Sequence, residues 1–290
     1  MPLYTLLERS ELHDPIVVAA FDGWVDAGQA ASLAAEQLAA DAGVIATFDA
    51  DRIYDYRSRR PTLDIVDGVL QELDWPELDL RAARVGERDV LVLTGPEPDY
   101  RWRQFSAETM ALARDLGVTT WISLGAIPAA VAHTRPVPIL GTASHSGLLP
   151  VGVNQGPEGR LRVPSALVST LELAASQAGI PSLGFFAQVP HYVSGAYPSA
   201  AVELLAHVGR FLEHELPLGD LPMKALETRS LLDAATQADE RTKSHVERLE
   251  SMADESRLPS GDDLIADIER YLRERGGDGG RGDGGSNLPN

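Results

Sequence analysis

The sequence predicts an α/β fold: a three-layer sandwich with a mixed, mostly parallel sheet, followed by a C-terminal helical extension. Three observations carry that prediction. Between residue 15 and about residue 215, short apolar, β-branched runs alternate with amphipathic or alanine-rich stretches, as strands alternate with crossover helices. LDLRAARVGERDVLVLTG reads as two strands about a glycine-containing turn, which makes the sheet mixed rather than purely parallel. After Leu216 the texture changes, and PMKALETRSLLDAATQADERTKSHVERLE is charged and helix-prone.

Taken in order, strands are expected over 16–21, 44–48, 90–94, 119–124, 137–142 and 183–189, and helices over 27–40, 106–116, 165–178 and 199–215. Ser106 stands where an N-cap belongs and Gly117 just past the same helix; Pro164 opens another helix and Gly179 closes it. Residues 1–217 read as the α/β core domain. Residues 218–275 read as a helical hairpin, its second helix starting after the Pro-Ser-Gly break in PSGDDLIADIERYLRERGG, and the Gly-rich 276–290 as a disordered tail. In the first of these helices Leu226, Leu231, Leu232 and Ala235 are expected to form one apolar face, on a helix that is otherwise solvated.

Composition excludes several classes of function. With 25 basic against 43 acidic side chains the net charge is −18, a field that repels phosphate backbones and anionic membrane surfaces, so neither nucleic acid nor membrane is an expected partner. The absence of cysteine removes disulfides, thiolate metal sites and a cysteine nucleophile. No signal-peptide pattern and no membrane-length apolar run appears, so a cytoplasmic location is expected. Lysine occurs only at Lys224 and Lys243, and the other 23 basic residues are arginines, which leaves the body of the chain without a lysine for Schiff-base or phosphate chemistry.

AAFDGWVDAGQAAS, after the first strand, places Gly23 and Gly28 at the spacing of a phosphate-binding loop, but Gln29 and Ala30 stand where lysine and serine or threonine should be. Asp26 followed three residues later by Gln29 fits a capping box instead. The anion-attracting helix end is then expected to hold a carboxylate already, with Asp22 adding a second negative charge. Ser144 and His145 suggest a hydrolase, yet the glycine-serine elbow is missing and sequence neighbours rarely face each other as a triad must. His133, His145 and His191 lack metal-ligand spacing.

In a parallel sheet the loops after the strand C-termini share one edge. Asp22, Gly23, Trp24 and Asp26, then Tyr100, Arg101 and Trp102, then His133 and Arg135, and finally His191 and Tyr192 would line a crevice there or form an interface. No complete catalytic set, metal site or cofactor site is expected among them.

The ordered stretches AFDGWVDAGQAAS, RPTLDIVDG, GPEPDYRWRQFS, GAIPAAVAHTRPVPILGTAS and PHYVSGAYPSAA resemble the proteasome assembly chaperone 2 family, in its actinobacterial branch, over about residues 3–215. The resemblance implies a phosphorylase-like fold without the phosphorylase active site. It implies a non-enzymatic, protein-binding chaperone, working as a homo-oligomer and acting in proteasome assembly. The last residues, Asn287-Leu288-Pro289-Asn290, lack the hydrophobic, tyrosine, any-residue ending of many proteasome-binding members, so docking by a C-terminal tail is not expected. The alternative is a small-molecule enzyme using the crevice, either of phosphorylase or hydrolase type, with Arg101 and Arg135 as phosphate ligands, or an ATP-dependent carboxylate-amine ligase, which the lysine-free body argues against.

Overall fold

Burial of period two along the central strands organises the molecule, seen here in a computed structural model that describes residues 2–7, 11–156 and 159–257. In chain order the elements are β1 (Tyr4–Leu6), β2 (Ile16–Asp22), α1 (Ala30–Leu38), β3 (Gly43–Phe48), α2 (Ala50–Ile53), β4 (Thr62–Val66), β5 (Val69–Asp74), β6 (Asp79–Val85) and β7 (Arg88–Pro96). There follow α3 (Trp102–Asp115), β8 (Thr120–Ala129), β9 (Ile139–Ala143), β10 (Asn154–Gln155), α4 (Leu167–Gln177), β11 (Ser182–Pro190), α5 (Pro198–Leu212), α6 (Leu221–Ala238) and α7 (Glu240–Arg257). In β2, Ile16, Val18 and Ala20 enter one core with α1 and α5, while Val17, Ala19 and Phe21 enter a second core with α3 and α4. A strand buried on both faces has to be apolar throughout, which is why IVVAAF shows no polar alternation. The result is the expected three-layer sandwich.

The large sheet runs β1-β3-β6-β7-β2-β8-β11-β9-β10. Its centre, from β7 through β2 and β8 to β11, is parallel, whereas β1-β3, β3-β6, β6-β7 and β11-β9 pair antiparallel. The sheet is mixed as expected, but its parallel pairing is limited to that centre and to the short β9-β10 pair at one edge. The β6-β7 hairpin is the two-stranded segment read from LDLRAARVGERDVLVLTG, and it turns the order antiparallel on that side. β4 and β5 form a separate two-stranded arm, closed by Asp67 and Gly68 at φ 52° and 81°, the left-handed pair that a tight Asp-Gly hairpin requires.

Three local expectations are corrected. Ser106 is not an N-cap: α3 begins a turn earlier, and the Ser106 hydroxyl donates to the Trp102 carbonyl at 2.8 Å from inside the helix. The entry is made instead by Arg101 in a left-handed conformation, with the Trp102 indole N–H held by the Pro98 carbonyl at 2.6 Å. The long C-terminal helix is divided at Asp239, whose extended backbone ends α6 and whose carboxylate takes the Thr242 N–H and hydroxyl at 2.9 and 2.6 Å, capping α7. α6 and α7 therefore pack as a pair, and the helix read within 260–275, like the tail 276–290, lies outside the described residues. Finally, Leu232 packs on the core while Leu226 and Leu231 are 71 and 72% exposed, so they do not share a face.

Candidate functional site at the strand C-terminal edge

The parallel centre brings the loops after β2, β7, β8 and β11 to one edge, and the residues expected to line a crevice lie on these loops or at the ends of the elements that flank them, whereas Ser144 and His145 follow β9 elsewhere. The loop after β2 is shaped by Asp26, which bridges to Ala126 beside it. Its buried carboxylate accepts the Ala31 N–H at 2.7 Å, the Ser32 hydroxyl at 2.6 Å and the Ser32 N–H at 3.4 Å, closing the N-terminus of α1. The expected capping box does not form, because a 3-10 turn over Ala27–Gln29 intervenes and Gln29 takes a left-handed φ of 52° rather than reaching back. Gly28, at φ 65°, is required there, since a Cβ would stand 2.7 Å from that of Tyr197. A carboxylate still occupies the helix end that an anion would use. Burial raises its pKa from 3.8, and the bonds from Ser32 and Ala31 counter this in part.

Next to it, the Asp22 carbonyl accepts the Glu97 N–H at 2.8 Å, and Gly23 lies so close to Glu97 that a Cβ would meet its side chain at 2.7 Å. Glu97 in turn accepts the Leu167 N–H at 2.6 Å, capping α4. Trp24 is 74% exposed and Tyr100 49%, while Arg101 reaches Gln104 at 3.3 Å and Trp102 is half-buried. These residues form an open surface.

The loops after β8 and β11 are covered by α6 and α7. The His133 side chain is fully enclosed: its Nε2 lies 3.2 Å from Asp233 and its Nδ1 2.7 Å from the Tyr192 hydroxyl, which also accepts the His133 N–H at 2.8 Å. A carboxylate only accepts, so the ring proton sits on Nε2, and the Tyr192 hydroxyl donates to Nδ1. That is a neutral imidazole with both nitrogens satisfied. Burial holds its pKa below 6.5, with Arg229 acting in the same direction and Asp233 and Glu250 opposing. Arg229 donates to the His133 carbonyl at 2.8 Å and pairs with Asp233 at 3.1 Å. Thr134 donates to Glu250, and Arg135 pairs with Asp254 at 2.5 Å. His191 gives its Nδ1–H to the Ala129 carbonyl at 3.1 Å, and its Nε2 faces that of His245 at 3.3 Å, an arrangement that holds one hydrogen between the two rings. Ala132, Val246 and Leu249, each under 5% exposed, form a small apolar cluster with Tyr192 at the centre of this contact.

The predicted crevice is thus split. Asp22, Gly23, Trp24, Tyr100, Arg101 and Trp102 remain on the open side; His133, Arg135, His191 and Tyr192 are engaged by the chain's own C-terminal helices. Arg101 and Arg135 end on different partners and do not build a phosphate pocket together. Ser144 and His145 do meet, at 3.1 Å, but through Nδ1, and Ser144 also takes the Ser182 N–H, with no carboxylate orienting the ring among the described residues. Among those residues there is also no cluster of three or more groups suited to a metal ion, and no helix long and apolar enough to cross a membrane.

Sequence reasoning missed Arg229, Asp233, His245, Glu250 and Asp254, the residues through which the helices hold the loops. A signal was present: Val246 and Leu249, three apart, begin the short apolar stripe of a largely charged helix, and Asp239 with Thr242 three residues on is an N-cap pattern.

A match to the PAC2 family spans residues 20–236, three quarters of the chain. The chain belongs to the PAC2 family. A solved PAC2 family protein from Streptomyces avermitilis is 36% identical over 80% of this chain and 100% of its own, with a TM-score of 0.71. A Mycobacterium tuberculosis proteasome-assembly chaperone homologue is 39% identical over 80% of this chain and 99% of its own, with a TM-score of 0.72. A second Mycobacterium tuberculosis protein, of unknown function, is 35% identical over 87% of this chain and 90% of its own, with a TM-score of 0.81. These PAC2 likenesses agree with the actinobacterial branch the sequence resembles. Among curated proteins none matches this chain.

Proposed function

We propose that this PAC2 family chain is a non-enzymatic, chaperone-like protein that binds proteasome subunits during assembly, as a homo-oligomer and in the cytoplasm. The observation that carries the reading is the state of the strand edge where α/β enzymes keep their active sites. The helix end there is capped by Asp26, and His133, Tyr192, His191 and Arg135 are engaged by groups of the same chain. What faces solvent is an aromatic and arginine surface, Trp24, Tyr100 and Arg101, of the kind that anchors protein partners. The class of partner is taken from the 39%-identical proteasome-assembly chaperone homologue.

Co-expression with proteasome α- and β-subunits tests it. The chain is expected to be retained with the α-subunits and to raise the yield of half-proteasomes, and Trp24→Ala with Tyr100→Ala to lose that retention. No retention and an unchanged half-proteasome yield would remove the proteasome reading.

A further inference from the structure

A cleft of about 280 Å³ opens between α4 and the sheet, beside the N-terminal half of β11 and apart from the strand C-terminal edge. Its helix wall is built at positions 169, 172, 173 and 176, the spacing that puts side chains on one face of α4. Its sheet wall comes from β9 and β11, where Thr142 stands opposite Gly184, and Ser182 and Phe186 share that face by strand alternation. Hydroxyls of Thr142, Ser144, Ser169, Ser176 and Ser182 line the cleft, and Glu172 is the one charged side chain among the described residues of its wall. Glu172 reaches across to the sheet. Its Oε1 accepts the Thr142 hydroxyl at 2.6 Å, and its Oε2 lies over the bare backbone of Gly184, where a Cβ would stand 2.6 Å away. The Ser123 hydroxyl bonds to it as well, and no arginine, lysine or histidine of the described residues pairs with it.

A half-buried carboxylate held only by neutral hydroxyls keeps its charge against the cost of desolvation. Its pKa accordingly lies above 4.5, raised by burial and held back in part by the Thr142 and Ser123 hydroxyls. What such a site lacks is a cation. We propose that the cleft binds a protonated primary amine, a short alkylammonium whose N–H groups meet the Glu172 carboxylate and the surrounding hydroxyls while its methylenes lie against Leu173 and Phe186. Three features point to that ligand. An ammonium has three donors and no acceptor, and hydroxyl and carboxylate oxygens can all accept from it. The wall has no basic side chain to hold an anion, and the net charge of −18 draws cations toward the surface. Leu173, 60% exposed, offers apolar surface at the mouth, and the volume is below the roughly 300 to 1,000 Å³ of larger ligand pockets, which suits one short chain. A free amine and a lysine side chain of a bound protein present the same chemistry. The inference is independent of the proteasome reading, which stands whether or not the amine binds.

Amide NMR titration of the full chain with butylammonium chloride, against sodium chloride at equal ionic strength, reads the site. Saturable shifts are expected at Ser176 and Gly184, and n-butanol, the neutral molecule of the same length, should not produce them. Glu172→Gln keeps the side-chain volume and an acceptor for Thr142, and it should weaken butylammonium binding by about tenfold or more. The comparison with n-butanol needs no variant, so the test holds even if that substitution disturbs folding. A short peptide with one lysine and blocked termini separates the sources: the same shifts admit a lysine side chain of a partner, and their absence restricts the cleft to free amines. No shift with butylammonium, an equal response to n-butanol, or undiminished binding in a folded Glu172→Gln overturns the inference.

Discussion

The two halves of the strand C-terminal edge are built from equivalent loops and yet end differently. After β2 and β7, Asp26 and Glu97 turn inward as helix caps, and what is left outside is aromatic: Trp24 and Tyr100. After β8 and β11, His133, Arg135 and His191 reach Asp233, Asp254 and His245 on α6 and α7, and Tyr192, bonded to His133, packs against the same helices. The difference teaches that the covering helices are held more by polar pairs than by apolar area. Three buried side chains of modest size stand at the centre, ringed by ion pairs and hydrogen bonds. Partly exposed ion pairs contribute little each, so the cover is weaker than the sandwich beneath it and is the part expected to open first.

The largest effect is expected where that cover is apolar. Leu249→Ala removes the bulkiest side chain of the small cluster and should cost about 2 kcal/mol or more, a loss confined to α6 and α7. Amide hydrogen exchange would show α7 losing protection while β2 and β8 keep theirs; equal loss in the central strands would mean that cover and sandwich unfold as one unit. On the open half, Asp26→Ala strands the Ala31 and Ser32 donors and should cost about 1 to 2 kcal/mol in denaturant unfolding. Asp26→Asn should cost less. The folded-state pKa of Asp26 is raised, so its stabilising contribution is complete below the unfolded value of 3.8 and is lost as pH rises through the folded value; at neutral pH the uncharged amide gives up little.

A graded effect of pH should separate the halves further. The pKa of His133 is lowered by burial, so its contribution is complete above the unfolded value of about 6.5 and is lost as pH falls from there through the folded value. Protonating Nδ1 removes the acceptor for Tyr192, and exchange protection in α7 should decline on acidification while that in α1 does not. His133→Gln should flatten the response, and an unchanged decline in that variant would assign it to other groups. The smallest effect on stability is expected at Trp24. Because the indole is largely exposed, Trp24→Ala should change the unfolding free energy by less than about 0.5 kcal/mol while weakening the capture proposed above. A large stability loss there would mean that the indole packs and is not a free contact surface.

Much of this was legible in the chain itself. The apolar runs that became β2, β3, β7, β8, β9 and β11 were read within a few residues, because burial on both faces demands continuous hydrophobicity and leaves little choice of side chain. Helix ends were less legible. Ser106 has the right type for a cap, but Trp102 and Phe105 ahead of it find a packed position, and that burial outweighs one capping bond. The site residues were found as loop residues. Their division into an open and a covered group was not, since it depends on contacts that span 59 to 119 positions of chain, such as His133 to Tyr192 and Arg135 to Asp254.

By itself, then, the sequence determined the layered α/β plan, the family, the acid-filled helix end after β2 and the lack of any lysine in the core, because these follow from side-chain type and local spacing. Only the tertiary structure decided that α6 and α7 fold back over His133 and Tyr192, that β9 turns the sheet antiparallel beyond β11 as well, and that the arm of Leu63 and Leu70 stands bare. Those outcomes depend on which distant surfaces meet, and spacing along a chain carries no term for that.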